Sequence, residues 1–199
     1  VKHMQRLINA NFGSGDFFCR FSAPYGTYET EKEFRKEIVK WLDRINYRLK
    51  KQGKGRLKYI AFIECGKSGK NWHIHIIVSK EDRELLSEQW PYENGQNFTP
   101  LYKNENFKKL AEYITKDLTG KEDVDAAQKR MMTSRNLTKP ESVTRKAKRK
   151  EIRALERGEM IEPPEGHYLI EDDYSMRYSD IGGAKWYFCF LPITQRRKW

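Results

Sequence analysis

The chain has 199 residues, of which 38% are hydrophobic and 34% charged, and no apolar run reaches the roughly eighteen residues of a membrane span. Such a length suits one domain, or one domain with an appendage, and excludes a large multidomain enzyme, a collagenous chain and a low-complexity chain. Lys and Arg number 39 against 28 Asp and Glu, a net charge of +11, which points to a polyanionic partner.

Residues 1–11 show no clear signal; they are expected to be flexible or extraneous to the fold, and His3 is not counted as a ligand. Residues 16–23 (DFFCRFSA) read as a strand, ended by Pro24-Tyr25-Gly26. From residue 30 to 51 the period changes. Phe34, Ile38, Trp41, Leu42, Ile45 and Leu49 recur at helical spacing, Thr30 and Glu33 make a capping box, and Gly53 stops the helix. Residues 57–65 and 71–79 are two further strands around the turn-forming Gly66-Lys67-Ser68-Gly69, a β-hairpin.

A short helix is expected over 81–90, then a loop or one poorly marked strand over 91–102. A clear amphipathic helix covers 106–118. A strand is expected over 131–137, a basic helix over 141–157, and strands over 167–177 and 184–191. The order implies an α+β fold: a central antiparallel sheet of about five strands with flanking helices, placed on one side. The whole chain, 1–199, is taken as one domain, and the strands after residue 141 are expected to join its sheet. Cys19, Cys65 and Cys189 are odd in number and unpaired by spacing. They read as reduced, core or near-core thiols in a cytoplasmic protein without a signal peptide.

The chemistry concentrates in the hairpin. His73 and His75 are two apart on a strand, so both imidazoles share one face while Trp72, Ile74 and Ile76 take the other. A two-residue loop at Ser68-Gly69 sets Cys65 opposite Trp72 and Glu64 opposite His73, bringing a carboxylate to the imidazole face. A one-residue slip would undo this. Glu64, His73 and His75 form a mixed nitrogen and oxygen donor set suited to Mn²⁺ or Mg²⁺, with Zn²⁺ behind them. The GKSGK run is no phosphate loop, because Ala61 and Glu64 stand where the required glycine would be.

In the helix over 106–118, Phe107, Leu110, Ala111, Ile114 and Leu118 fall within about 60° of one direction, and Tyr113 lies roughly 120° away from it. Tyr113 and Lys116 are neighbours on the helix surface. An ammonium beside a phenol favours the phenolate, although the chain has 11 tyrosines and most must be structural. Residues 129–157 hold 11 Lys and Arg against 3 Glu, a density that suits phosphate contact. Arg135 and Asn136, taken to lie near the catalytic residues, and Arg145, Lys146, Lys148 and Arg149 are the candidate DNA contacts. Phe18, Tyr25 and Tyr28 are candidates for stacking on bases, while Tyr187 and Phe188 read as sheet packing.

Together these motifs resemble the HUH endonucleases. WHIHIIV is similar to the family's histidine–hydrophobic–histidine motif. YITK, with Tyr113 following His75 by 38 positions, is similar to its single-tyrosine motif, and FFCRFSAPY to its first-strand motif. Glu64 stands where many rolling-circle initiators place an acidic third ligand. Ser134-Arg135-Asn136-Leu137 with Pro140 resembles the later part of phage and plasmid replication-associated proteins. Only one tyrosine occupies the helix, which suggests the one-tyrosine type.

The resemblance implies a ferredoxin- or RRM-like palm that binds single-stranded DNA at a replication origin, with a hairpin there. It implies nicking and rejoining through a 5′-phosphotyrosine on Tyr113, assisted by Lys116 and a divalent metal, and a separate host or phage helicase. A conjugative relaxase or single-strand transposase would share the chemistry. A non-catalytic nucleic-acid-binding module and a metal-dependent RNA endonuclease are the alternatives of other classes.

Overall fold

A computed structural model describes residues 1–102, 107–119, 131–170, 173–179 and 183–193, with the side chains of 116–119, 179 and 192 left out. Among the described residues the chain forms two compact units, one of Val1 and His3–Thr138, the other of Lys139–Trp199 with Lys2.

The first unit is built on a five-stranded antiparallel sheet. Its strands are β1 (Phe17–Ser22), β2 (Tyr59–Cys65), β3 (Trp72–Val78), β4 (Gln96–Pro100) and β5 (Met131–Thr133), in the spatial order β4-β1-β3-β2-β5. The poorly marked strand over 91–102 is β4, an edge strand. Its sequence, QNFTP, has one large apolar residue and a proline that an edge tolerates. β5 is shorter than expected because Ser134 closes the ladder at residue 59. Ser134 N donates to Tyr59 O at 3.0 Å, and Ser134 Oγ accepts from Tyr59 N at 3.0 Å.

Helices cover both faces of this sheet, not one. α2 (Glu31–Lys51) and α3 (Arg83–Gln89) pack on the face made by Cys19, Phe21, Ala61, Ile63, Trp72, Ile74 and Ile76. The capping box of α2 is formed, with Thr30 Oγ1 accepting from Glu33 N and Glu33 Oε2 accepting from Thr30 N. The six apolar residues of its stripe are all buried, and Trp41 donates its indole N–H to Leu86 O. α1 (Lys2–Asn11) and α4 (Lys108–Thr119) pack on the opposite face with Ile60, Phe62 and Ile77. Every residue of β3 is buried, as a central strand roofed on both sides requires.

α1 corrects the expectation that residues 1–11 are flexible. Met4, Leu7, Ile8 and Phe12 recur on one helical face and are buried. Asn11 fastens its end: Asn11 Nδ2 donates to Thr138 O at 2.8 Å, and Thr138 N returns a bond to Asn11 Oδ1 at 2.7 Å. Ile8, fully buried, should lose about 2–5 kcal/mol of stability on replacement by Ala. Urea denaturation checks this, and an unchanged midpoint would mean that α1 is not part of the folded core.

The second unit has α5 (Arg149–Glu156), β6 (His167–Leu169), β7 (Ser175–Ser179), β8 (Gly183–Tyr187) and β9 (Phe190–Pro192). Its strands form two separate two-stranded sheets, β6–β9 and β7–β8, and do not extend the central sheet. The basic helix over 141–157 is shorter than expected and begins at Arg149. It starts where Glu151 reaches back to accept the N–H of Lys148 at 2.7 Å. Phe188 packs against Tyr174 and Phe190, as expected of sheet packing, whereas Tyr187 is exposed. None of the described helices is long and apolar enough to cross a membrane.

Candidate metal and nucleotidyl-transfer centre

The β2–β3 hairpin has the register on which the site depends. Glu64 pairs with His73 and Cys65 with Trp72. The loop differs in detail from the two-residue turn. Gly66 N donates to Asn71 O at 2.9 Å, and Gly69 N to Gly66 O at 2.9 Å, so the ladder closes at the 66–71 pair. Gly69 sits at φ +71°, a left-handed conformation that suits glycine. A two-residue and a four-residue loop differ by one residue on each strand, so the facing pairs are unchanged.

Glu64 Oε2 lies 2.9 Å from His73 Nε2 and 3.0 Å from His75 Nε2. Ligand atoms of all three residues come within 4.8 Å of one another. Both imidazoles are buried and Glu64 is partly so. His73 Nδ1 is held by Asn71 O at 3.2 Å. The hydrogen bond from His73, and then the close approach of His75, push the Glu64 carboxyl down to about 2, against burial, which acts to raise it. Neither ring nitrogen of His75 has a well-formed hydrogen bond. Its Nε2 is near Glu64 but badly aligned for one. A buried nitrogen turned toward a carboxylate without bonding it suits a shared metal better than a hydrogen bond. The donor set fits a divalent cation.

The floor of the site is aromatic. Phe62 and Phe18 lie nearly parallel to the His75 ring, at 4.9 and 5.2 Å between centroids. Phe18, a candidate for base stacking, is thus part of the protein's own packing. Tyr28 is similarly engaged, its hydroxyl 2.6 Å from that of Tyr92, while Tyr25 is exposed.

α4 brings Tyr113 to this floor. Its ring stands edge-on to His75, Phe18 and Phe62 at 5.7, 6.0 and 6.2 Å, yet 47% of the residue is exposed. The ring is anchored on one side and open to a substrate on the other. The helical arithmetic that set Tyr113 off the apolar stripe is consistent with this. Lys116 is in α4, but its side chain, and hence its distance from Tyr113, lies outside the described residues.

A comparison with protein families places this region. Residues 26–123 match the family model of the replication-associated protein ORF2. The match spans just under half of the chain and contains Glu64, His73, His75, Tyr113 and Lys116. The chain is therefore similar to a replication-initiator family over the segment that builds the site. No curated protein and no solved structure matches the chain.

The DNA-contact candidates are not gathered at this centre. Arg135 and Asn136 follow β5, beyond the Tyr59 end of β2, whereas Glu64 is five residues away toward its other end, about 17 Å along a strand. Asn136 donates to Arg56 O at 2.8 Å, a bond that ties down its own loop. The expectation that these two lie near the catalytic residues is corrected: their proximity in sequence to the hairpin's edge partner does not carry them along the strand. Arg145, Lys146, Lys148 and Arg149 are exposed in the second unit. Arg145 is forked onto Glu151 at 2.8 and 2.6 Å, which leaves Lys146, Lys148 and Arg149 as the better phosphate contacts.

What sequence reasoning missed is β1 as part of the site. Arg20 of β1 pairs with His75, and Ser22 with His73. The signal available was a lone cation in the aromatic strand FFCRFS, but its pairing partner is a matter of tertiary structure.

Proposed function

We propose that this protein nicks and rejoins single-stranded DNA at a replication origin, starting rolling-circle replication of a plasmid or phage. The observation that carries the reading is the meeting of a half-exposed tyrosine with a buried Glu-His-His donor set, its ring 5.7 Å from that of His75. The similarity of residues 26–123 to replication-associated proteins supports it, as does the resemblance to single-tyrosine HUH endonucleases.

In this mechanism Tyr113 Oη attacks the scissile phosphorus. An O–P bond to tyrosine forms as the bond to the 3′ oxygen breaks, and that oxygen takes up a proton and leaves as a hydroxyl. One phosphodiester replaces another, so a 3′-hydroxyl can later reverse the exchange and rejoin the strand. Glu64, His73 and His75 would hold Mn²⁺ or Mg²⁺, which supplies positive charge to the non-bridging oxygens of the phosphate. Phe18 and Phe62 fix the His75 ring and the tyrosine ring, so that little motion is needed to align nucleophile and phosphate. Lys116 is assigned the stabilisation of the phenolate or the phosphate as a point charge. Strand separation would fall to a host or phage helicase.

End-labelled single-stranded origin DNA, incubated with Mn²⁺ or with EDTA and run on a denaturing gel, tests the reading. A band at protein-plus-oligonucleotide mass, absent with EDTA, is the expected result. Bound DNA without that band, on the true origin, would overturn the nuclease and leave a nucleic-acid-binding module. Cleavage of RNA without an adduct would indicate an RNA endonuclease.

The exposed cations of the second unit make a separate prediction. Replacing Lys146, Lys148 and Arg149 together by Glu should weaken single-strand binding of any sequence. It should also reduce the slope of log affinity against log salt by about 2, at roughly 0.7 for each phosphate no longer neutralised. Fluorescence anisotropy over a range of KCl reads this, and an unchanged slope would remove the segment from the DNA interface.

A further inference from the structure

Among the described residues Arg20 is a guanidinium without a counter-charge. It lies in the middle of β1, between His75 of β3 and Asn97 of β4 in the pairing register. Directly opposed residues on antiparallel strands share a face, with their Cβ atoms about 5 Å apart. Arg20 is therefore on the metal-ligand face, in the row next to His75. It is partly buried, and its Nε is fully enclosed with no hydrogen-bond partner among those residues. Glu64, the carboxylate of this face, is two strands away and already set between two imidazoles.

A charged donor enclosed without an acceptor is costly. An arginine used only for packing would turn its polar head to solvent and keep its stem inside. Here the Nε end of the fork is inside, beside the donor set, in a strand otherwise given to apolar contacts. The acceptor that suits this position is an anion lying over His75, and a planar fork of N–H groups matches the oxygens of a phosphate.

We infer that Arg20 binds a non-bridging oxygen of the scissile phosphate and stabilises the charge that develops there as Tyr113 attacks. This rests on the nuclease reading above, and deepens it by making β1 the third strand of the catalytic centre. Arg20 would face the phosphate from the β1 side while Glu64 faces it from the β2 side.

The test compares wild type with Arg20→Met and Arg20→Lys on two origin oligonucleotides, one natural and one with a neutral methylphosphonate at the scissile position. On natural DNA, adduct formation by Arg20→Met should be slower by about 100-fold or more, the scale on which one preorganised donor to developing charge is felt. Arg20→Lys should fall between. On the methylphosphonate the gap between wild type and Arg20→Met should shrink to a few-fold, because the charge that needed Arg20 is gone. Mn²⁺ titration and thermal melting of each variant, which a collapsed site would disturb, should match wild type. A gap of equal size on both oligonucleotides would overturn the inference, as would a gap that closes only when the neutral linkage is moved one nucleotide away. If wild type forms no adduct with natural DNA, the nuclease reading itself fails, and that outcome is distinct from failure of Arg20 alone.

Discussion

Tyr113→Phe should abolish the covalent protein–DNA adduct while leaving the fold, metal binding and DNA binding intact. The ring stays in place because its contacts are made by carbon. It stands edge-on to Phe18, Phe62 and His75, and phenylalanine can make the same contacts. At 47% exposure the change should move stability by no more than about 0.5 kcal/mol. The reaction, by contrast, loses its nucleophile, and the adduct rate should fall by about 10⁴-fold or more. Single-turnover rates with labelled DNA measure this, with anisotropy as the binding control. An adduct that survives would place the nucleophile elsewhere, with the exposed Tyr25 and Tyr102 next in line. An equal loss of DNA binding would make Tyr113 a docking residue.

Removing a metal ligand should act on a different observable. In wild type, Mn²⁺ at 100 times its dissociation constant should stabilise the fold by about 2.7 kcal/mol. Glu64→Ala or His75→Gln should erase most of that shift and weaken Mn²⁺ binding by more than about 100-fold, beyond what loss of an outer-shell partner costs. Glu64 also has a pH signature. Its carboxyl is held below the ordinary value of 4.5, at about 2, so ionisation is favoured in the folded protein. The stability this contributes is complete above about pH 4.5 and is lost as the pH falls toward 2. Glu64→Gln should flatten that acid limb. Because Glu64 remains a carboxylate throughout the neutral range, the protons that compete with a metal there compete at the imidazoles. Isothermal titration and melting against pH check both points. A Mn²⁺ shift that survives in both variants would mean that the ion binds elsewhere.

The donor set was legible in the sequence because every step toward it is local. Strand alternation puts His73 and His75 on one face, and a short hairpin loop sets which residue of β2 faces them. The turn in the structure is longer than the assumed one, yet the pairing is the same, since the extra residues come equally from both strands. The stripe of α2 was legible for a similar reason: a helix of 21 residues with a capping box shows its buried face by period alone. α1 was not legible, because ten residues give too short a window for its apolar spacing to stand out. β4 has one large apolar residue, and an edge strand demands no more.

Local chemistry thus determined an α+β chain, the hairpin with Glu64, His73 and His75, and a helix that turns Tyr113 away from its own apolar stripe. Only the tertiary structure decided that α4 lies across the ligand face, so that residues 38 positions apart in the chain share one aromatic floor. It also decided that Arg20 is the neighbour of His75, that Arg135 and Asn136 are not, and that the later strands pair among themselves. The reason is physical. Periodicity and turns constrain residues a few positions apart, whereas the order of strands in a sheet is set by the burial of whole faces. β3 became central because it is apolar on one side and needs α1 and α4 to cover Ile77 on the other, and that requirement is met only when the chain is folded.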